Sequence, residues 1–247
     1  MRAALSFLTR LPVGTFHVEN YYCTLGRQTP LFPVAGAIVG VVTLAADTAA
    51  GSLFGPAPRA VAALAAGVWV TGALHLDGLM DTADGIGSHR SRERMLEIMK
   101  DSRVGAMGVV AGVLALLARY ALLLEMAGPA RWQALLLAPA LGRMAIAASA
   151  GRFPAAGAGL GAAFAAHVGP WQVAGALAAG LALAVGIGGR PGVEAYTLAI
   201  AVAWLCARSL SAKLGGLTGD TYGAINEITE LTVLAAFAAA APGVWPW

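Results

Sequence analysis

Charge is the scarcest commodity in this sequence. Of 247 residues only 12% are Asp, Glu, Lys or Arg, against 58% hydrophobic. A soluble globular domain carries about a quarter charged residues. This chain lacks the polar residues to cover a water-facing surface, which excludes an ordinary soluble domain. Cysteine is also rare. Cys23 and Cys206 lie far apart without a metal-ligand spacing, which excludes a disulfide framework and leaves two structural thiols. Net charge is only +3, and the one dense basic stretch, Arg90 to Arg103, is interrupted by Glu93, Glu97 and Asp101. That pattern argues against a nucleic-acid partner, which calls for a clustered basic face. The apolar run after Arg2, Ala3 to Leu8, is too short for a signal-peptide core. A Walker A order is absent.

Long apolar runs fill the space. Crossing the hydrocarbon layer takes about 20 apolar residues. Leu31–Phe54, Ala60–Leu76, Gly105–Met126, Trp132–Ala150, Trp171–Gly188, Ala195–Leu210 and Leu231–Trp247 are the candidates, the last shortened by Pro242 and Pro246. The expectation is an all-α, polytopic transmembrane helix bundle of about seven spans, a single integral-membrane domain over residues 1–247. Abundant Gly and Ala suit close helix approach where lipid supplies no hydrophobic drive for association. Association into a homo-oligomer stays open.

Loop charges orient the bundle. With the N-terminus cytoplasmic, that side holds Arg2, Arg10, Arg27, Arg90, Arg92, Arg94, Lys100, Arg103, Arg152 and Lys213, and the other holds Arg59, Arg131 and Arg190. This places the chain in the cytoplasmic (inner) membrane with its polar clusters facing the cytoplasm. Residues 77–104 form the cytoplasmic loop and helix expected to carry catalysis.

The most informative stretch runs from His75 to Gly85. Asp77, Asp81 and Asp84 recur at i, i+4 and i+7 and so share one helix face. Stacked carboxylates directly after an apolar run repel one another and are costly at membrane depth. A divalent cation would relieve both costs. Mg²⁺ fits as a hard ion that takes one or two carboxylates and completes its shell with water and substrate phosphate. The competing reading is a solvated acidic helix end. His75 reads as a ligand, an acid–base group or a packing residue, with packing favoured by the sequence alone.

Beyond it, Met95, Leu96, Ile98 and Met99 draw an apolar stripe on a short interfacial helix. The helix ends in Lys100-Asp101-Ser102-Arg103, whose cations suit phosphoryl oxygens. Near the C-terminus, the Gly-rich turn containing Thr218, Gly219 and Asp220 opens a helix with Glu227 and Glu230. It reads equally as a phosphate cradle and as a helix cap. Arg143 lies inside an apolar run, so it marks a functional site paired with a carboxylate. Arg119 and Glu125 suggest a structural pair, and Gly157 to Phe164 a small-residue loop without chemistry of its own.

Taken together, Ser6 to Pro12, Phe32 to Gly36, His75 to Gly85, Leu96 to Gly105, Gly159 to Gly161 and Gly215 to Asp220 resemble the cobalamin synthase family, in the same order and nearly end to end. The segment Phe153 to His167 is less charged than that family's pattern, and Val18 to Cys23 carries no interpretable feature. The resemblance implies a Mg²⁺-dependent membrane transferase that joins adenosylcobinamide-GDP to α-ribazole, or to its 5′-phosphate, releasing GMP. It implies Asp77, Asp81 and Asp84 as metal ligands, Asp81 or Asp84 as base, and Lys100, Arg103 and Arg143 on phosphate. His75, Asp101, Ser102, Thr218, Gly219, Asp220 and Glu227 complete the expected substrate site. A CDP-alcohol phosphotransferase is the nearest rival, but its longer acidic pattern is absent. A transporter would gather polar groups near the midplane, whereas here they sit at one boundary.

Overall fold

A computed structural model describes residues 1–14 and 21–240. Pro242, Pro246 and Val18 to Asn20 lie outside the described residues, with Tyr21 to Cys23 inside. The helices are α1 (Arg2–Leu8), α2 (Tyr21–Gln28), α3 (Phe32–Gly51), α4 (Pro56–Thr71), α5 (Leu74–Gly87), α6 (Arg92–Ile98), α7 (Ala106–Glu125), α8 (Gly128–Ala150), α9 (Leu160–Ala165), α10 (Pro170–Leu214) and α11 (Gly219–Ala240). A 3-10 turn, Thr29–Leu31, joins α2 to α3. Among the described residues there is no strand beyond one isolated bridge between Ala155 and Leu217.

Proline in the first turn opens α3, α4, α8 and α10, where its fixed φ fits and its missing N–H costs nothing. Among the described residues, five helical stretches are long and apolar enough to cross a membrane, and α4 with α5 makes a sixth, bent by 87°. Within α10 the chain doubles back at Gly189 (φ 55°, ψ −135°). Past that turn, Tyr196 donates its hydroxyl proton to the Leu177 carbonyl at 3.1 Å, and Gly192 packs on the Ala184 backbone. The two arms of α10 match the separate runs Trp171–Gly188 and Ala195–Leu210. Counting them apart brings the candidate crossings among the described residues close to the number expected, the last being Gly219–Ala240 rather than Leu231–Trp247.

The single span expected over Ala60–Leu76 is corrected. The helix stops at Thr71, because Gly72 and Ala73 both adopt left-handed backbone (φ 61° and 60°). Arg10 enforces the break: its N–H donates to the Val70 carbonyl at 2.7 Å, and its side chain lies where a Cβ on Gly72 would stand. Chain that would have continued across the membrane turns instead over the ends of α7 and α11.

At the centre stands α8, buried on almost every face from Ala134 to Ala150. Such a helix has no amphipathic pattern to read. Gly36 and Gly40 of α3 lie directly on its backbone, and a Cβ on Gly40 would come 2.7 Å from the Leu136 Cα. Glycine at these positions lets the two helices touch, which is how apolar helices gain packing in lipid. Outward-facing Val109, Val113 and Leu117 of α7, with Val185 and Leu205 of α10, present the lipid surface.

Candidate active site

The helix α5 is held against α11 by two glycines. A Cβ on Gly78 would lie 2.7 Å from the Asp220 carbonyl oxygen, and one on Gly223 would lie 2.9 Å from the His75 carbonyl oxygen. This close crossing sets the start of α5 beside the turn that opens α11. Between them is a cavity of about 320 Å³ lined by His75, Asp77, Lys100, Thr218, Gly219 and Asp220. Residues separated by up to 145 positions in the chain thus meet at one end of the bundle, where α4 and α8 end and α7 and α11 begin.

The electrostatics of this end are lopsided. Asp81 feels the negative charges of Asp77, Asp220 and Asp84, and Asp220 feels that of Asp77. Among the described residues none of Asp77, Asp81 or Asp220 is in an ion pair. Lys100 supplies attraction to Asp220 across the cavity. Lys100 is carried there by α6, whose Ser91 hydroxyl oxygen accepts from the Arg94 N–H at 3.4 Å. Met95 and Met99, the inner edge of the expected apolar stripe, are buried with Leu214.

A cavity of uncompensated carboxylates and one lysine, laid on membrane helices, is where the comparisons apply. The sequence matches the cobalamin-5-phosphate synthase family over residues 1–238. The chain belongs to that family. It is similar to an adenosylcobinamide-GDP ribazoletransferase of Roseiflexus sp. (strain RS-1), 44% identical over 97% of this chain and 89% of the relative. A protein of the same name from Pseudomonas aeruginosa (strain UCBPP-PA14) is 43% identical over 95% of this chain and 96% of its own. One from Brevibacillus brevis is 36% identical over 94% of each. No solved structure matches. Family membership makes the chain a transferase of cobalamin biosynthesis, and its helices make it a membrane enzyme.

In this member of the synthase family, the three aspartates of α5 divide. Asp77 lines the cavity. Asp84 turns to α7 and accepts from the N–H groups of Gly105 and Gly108, each at 2.7 Å. It caps a helix whose own N-cap, Gly105, has no side chain to do so. Among the described residues no three His, Cys, Asp or Glu side chains form a cluster able to hold a metal by themselves. The expected three-carboxylate set therefore narrows to Asp77 and Asp81. Asp77 lines the cavity and Asp81, one turn further along α5, does not. Their two unpaired carboxylates remain a fitting donor set for Mg²⁺, which takes one or two and leaves its other positions to water and phosphate.

Other expected contacts are reassigned. Arg143, expected on phosphate, is buried and does not line the cavity. Its Nη1 donates to Glu230 Oε1, and its Nη2 lies 3.2 Å from His75 Nδ1. Arg119 pairs at 2.8 Å with both Glu227 and Glu230, not with Glu125, which is exposed. Asn226 adds an N–H to Glu230 Oε1 at 2.8 Å. Glu227, expected at substrate, thus belongs to a buried ionic quartet. The reason is geometric: two turns into α11 the chain is already inside the bundle, where an acid must find a base.

Asp101, Ser102 and Arg103 do not line the cavity. Arg103 donates to Asp101 at 2.7 Å and 3.0 Å in solvent, and these bonds hold the Asp101 carboxyl down at about 2. Conversely, the Gly157–Ala162 loop does line the cavity, together with Phe7 and Tyr222. It is tied to the α11 turn by Ala156 N–H to Leu217 O (2.9 Å) and Leu217 N–H to Pro154 O (2.8 Å). Its glycines were the available signal. A Cβ on Gly161 would sit 2.6 Å from the Gly219 nitrogen, so only a glycine lets the two turns meet.

Proposed function

We propose that this chain transfers the adenosylcobinamide-phosphate group of adenosylcobinamide-GDP to the hydroxyl of α-ribazole, or of its 5′-phosphate, and releases GMP. The observation that carries the reading is the cavity in which unpaired Asp77 and Asp220 face Lys100. A diphosphate with a divalent cation supplies the charges this arrangement lacks. The curated relatives' names agree with that chemistry. The cavity, about 320 Å³, lies at the small end of ligand sites, which run from about 300 to 1,000 Å³. It suits a diphosphate and an adjoining sugar, with the corrinoid body outside it.

Asp77 and Asp81 would hold Mg²⁺, which would supply neutralising charge at the diphosphate. Lys100 holds phosphoryl oxygens from the α6 side. The N-terminus of α11 at Gly219 adds the positive end of a 22-residue helix. The ribazole hydroxyl oxygen bonds to the phosphorus nearer the cobinamide, and the bond from that phosphorus to the bridging oxygen breaks. GMP leaves with the bridging oxygen, and the hydroxyl proton passes to Asp81. Asp81 is preferred over Asp84 as base because both Asp84 oxygens already accept backbone N–H groups. Such chemistry is mainly positioning and charge neutralisation.

The ten-to-three loop bias in Lys and Arg supports a site facing the cytoplasm. The test is GMP release from adenosylcobinamide-GDP and α-ribazole by vesicles holding the wild-type chain, with Mg²⁺ or with chelator, beside Asp81→Ala. Release that needs Mg²⁺ and falls in the variant is expected. Absence of Mg²⁺-dependent release by wild type would overturn the assignment. A membrane-impermeant thiol reagent should reach a cysteine placed at His89 only from the cytoplasmic side.

A further inference from the structure

His75 sits where two systems meet. Its ring touches the buried ionic quartet through Arg143, and its residue lines the cavity beside Asp77, Thr218 and Asp220. The residue is 4% exposed. A guanidinium has five N–H donors, no acceptor, and does not lose its proton in proteins. At 3.2 Å from Arg143 Nη2, His75 Nδ1 is therefore the acceptor of that bond. With a lone pair on Nδ1, the ring proton resides on Nε2. Among the described residues no protein group bonds Nε2.

Arg143 cannot turn away. Its Nη1 is committed to Glu230 and also reaches the Pro139 carbonyl at 3.4 Å. Glu230 is itself fixed by Arg119 and Asn226. The quartet spans α7, α8 and α11, so three helices together hold one imidazole on a fourth. A tautomer set by the bond at the ring's other nitrogen is a recurrent way of giving an imidazole one role.

We propose that Arg143 is a positioning residue which fixes His75 as an Nε2–H donor, and that His75 donates this hydrogen bond to a phosphoryl oxygen of the substrate in the cavity. The inference rests on the reaction proposed above for its substrate, but not for its tautomer. It gives His75 a fixed polar role instead of packing or base chemistry. It also explains an intramembrane arginine that does not line the cavity.

Two measurements test it. The first needs no substrate. Nitrogen-15 spectra of histidine-labelled protein in nanodiscs, with the resonance assigned by its loss in His75→Gln, should show Nε2 protonated and Nδ1 bare. A protonated Nδ1 would overturn the proposal. The second compares GMP release by wild type, His75→Gln and His75→Leu. Gln keeps an acceptor for Arg143 and an N–H for the cavity, so its kcat should stay within about tenfold of wild type. Leu removes the donor and should lower kcat per folded molecule by about 100-fold, with little change in KM for adenosylcobinamide-GDP. Equal kcat for Leu and wild type, or equal loss in Gln and Leu, would overturn the donor role. If wild type itself releases no GMP, the proposed reaction fails, while the ring-nitrogen spectrum still decides the tautomer.

Discussion

The two ends of the bundle treat their acids differently. At the end away from the cavity, Asp47 of α3 is fully buried, and its Oδ1 accepts from Arg131 Nη2 at 2.6 Å. Arg59 donates to its other oxygen at 2.7 Å. Arg131 also donates to the carbonyls of Leu123 and Met126, which end α7. The carboxylate there is answered twice within the chain, and the cluster ties α3, α4, α7 and α8 together. At the cavity end, Asp77, Asp81 and Asp220 repel one another without an ion pair. A closed set of charges is architecture. An open set calls for something from outside the chain.

This contrast can be broken, beginning with the largest effect. Asp47→Ala leaves Arg131 buried and unpaired, and should destabilise the bundle by about 3–5 kcal/mol. Thermal unfolding in detergent would register it, while kcat per folded molecule should stay near wild type. Destabilisation no greater than that of an exposed substitution would show that the cluster does not hold the helices.

Asp81→Asn should behave in the opposite way. GMP release should fall on the order of 100-fold or more. The melting temperature without Mg²⁺ should hold or rise, because one member of a repelling set is gone. A fall in stability matching that of Asp47→Ala would erase the distinction between the two ends.

Asp84→Ala lies between these cases. It deprives α7 of its cap and should cost about 1 kcal/mol. Hydrogen exchange at the Gly105 and Gly108 amides should quicken. Unchanged exchange there would return Asp84 to the metal site expected from spacing alone.

The smallest effect belongs to Arg103→Ala. Its pair with Asp101 is exposed, so the melting temperature should not shift measurably. The folded carboxyl lies below its ordinary value, so the pair is intact above the ordinary carboxylate range and is lost as pH falls through about 2. In the variant, the Asp101 carboxyl carbon should titrate at a higher pH in NMR. A large loss of activity at neutral pH would instead place Arg103 on the substrate.

Sequence periodicity reached far into this molecule. Low charge and apolar runs determined a helical membrane bundle, because each span must satisfy its own backbone in lipid. The spacing of Asp77 and Asp81 and the turn at Thr218–Asp220 pointed to the candidate site, because carboxylates beside apolar helices are costly. Helix spacing says which residues share a face, but not what that face meets. Only the tertiary structure sent Asp84 to the amides of α7, Arg143 to His75 and Glu230, and Arg119 to α11 rather than to Glu125. Only it broke the span at Gly72 under Arg10 and brought the plain Gly157–Ala162 loop to the cavity. Those outcomes depend on contacts between helices distant in the chain, where one side chain's partner is chosen by the packing of all the others.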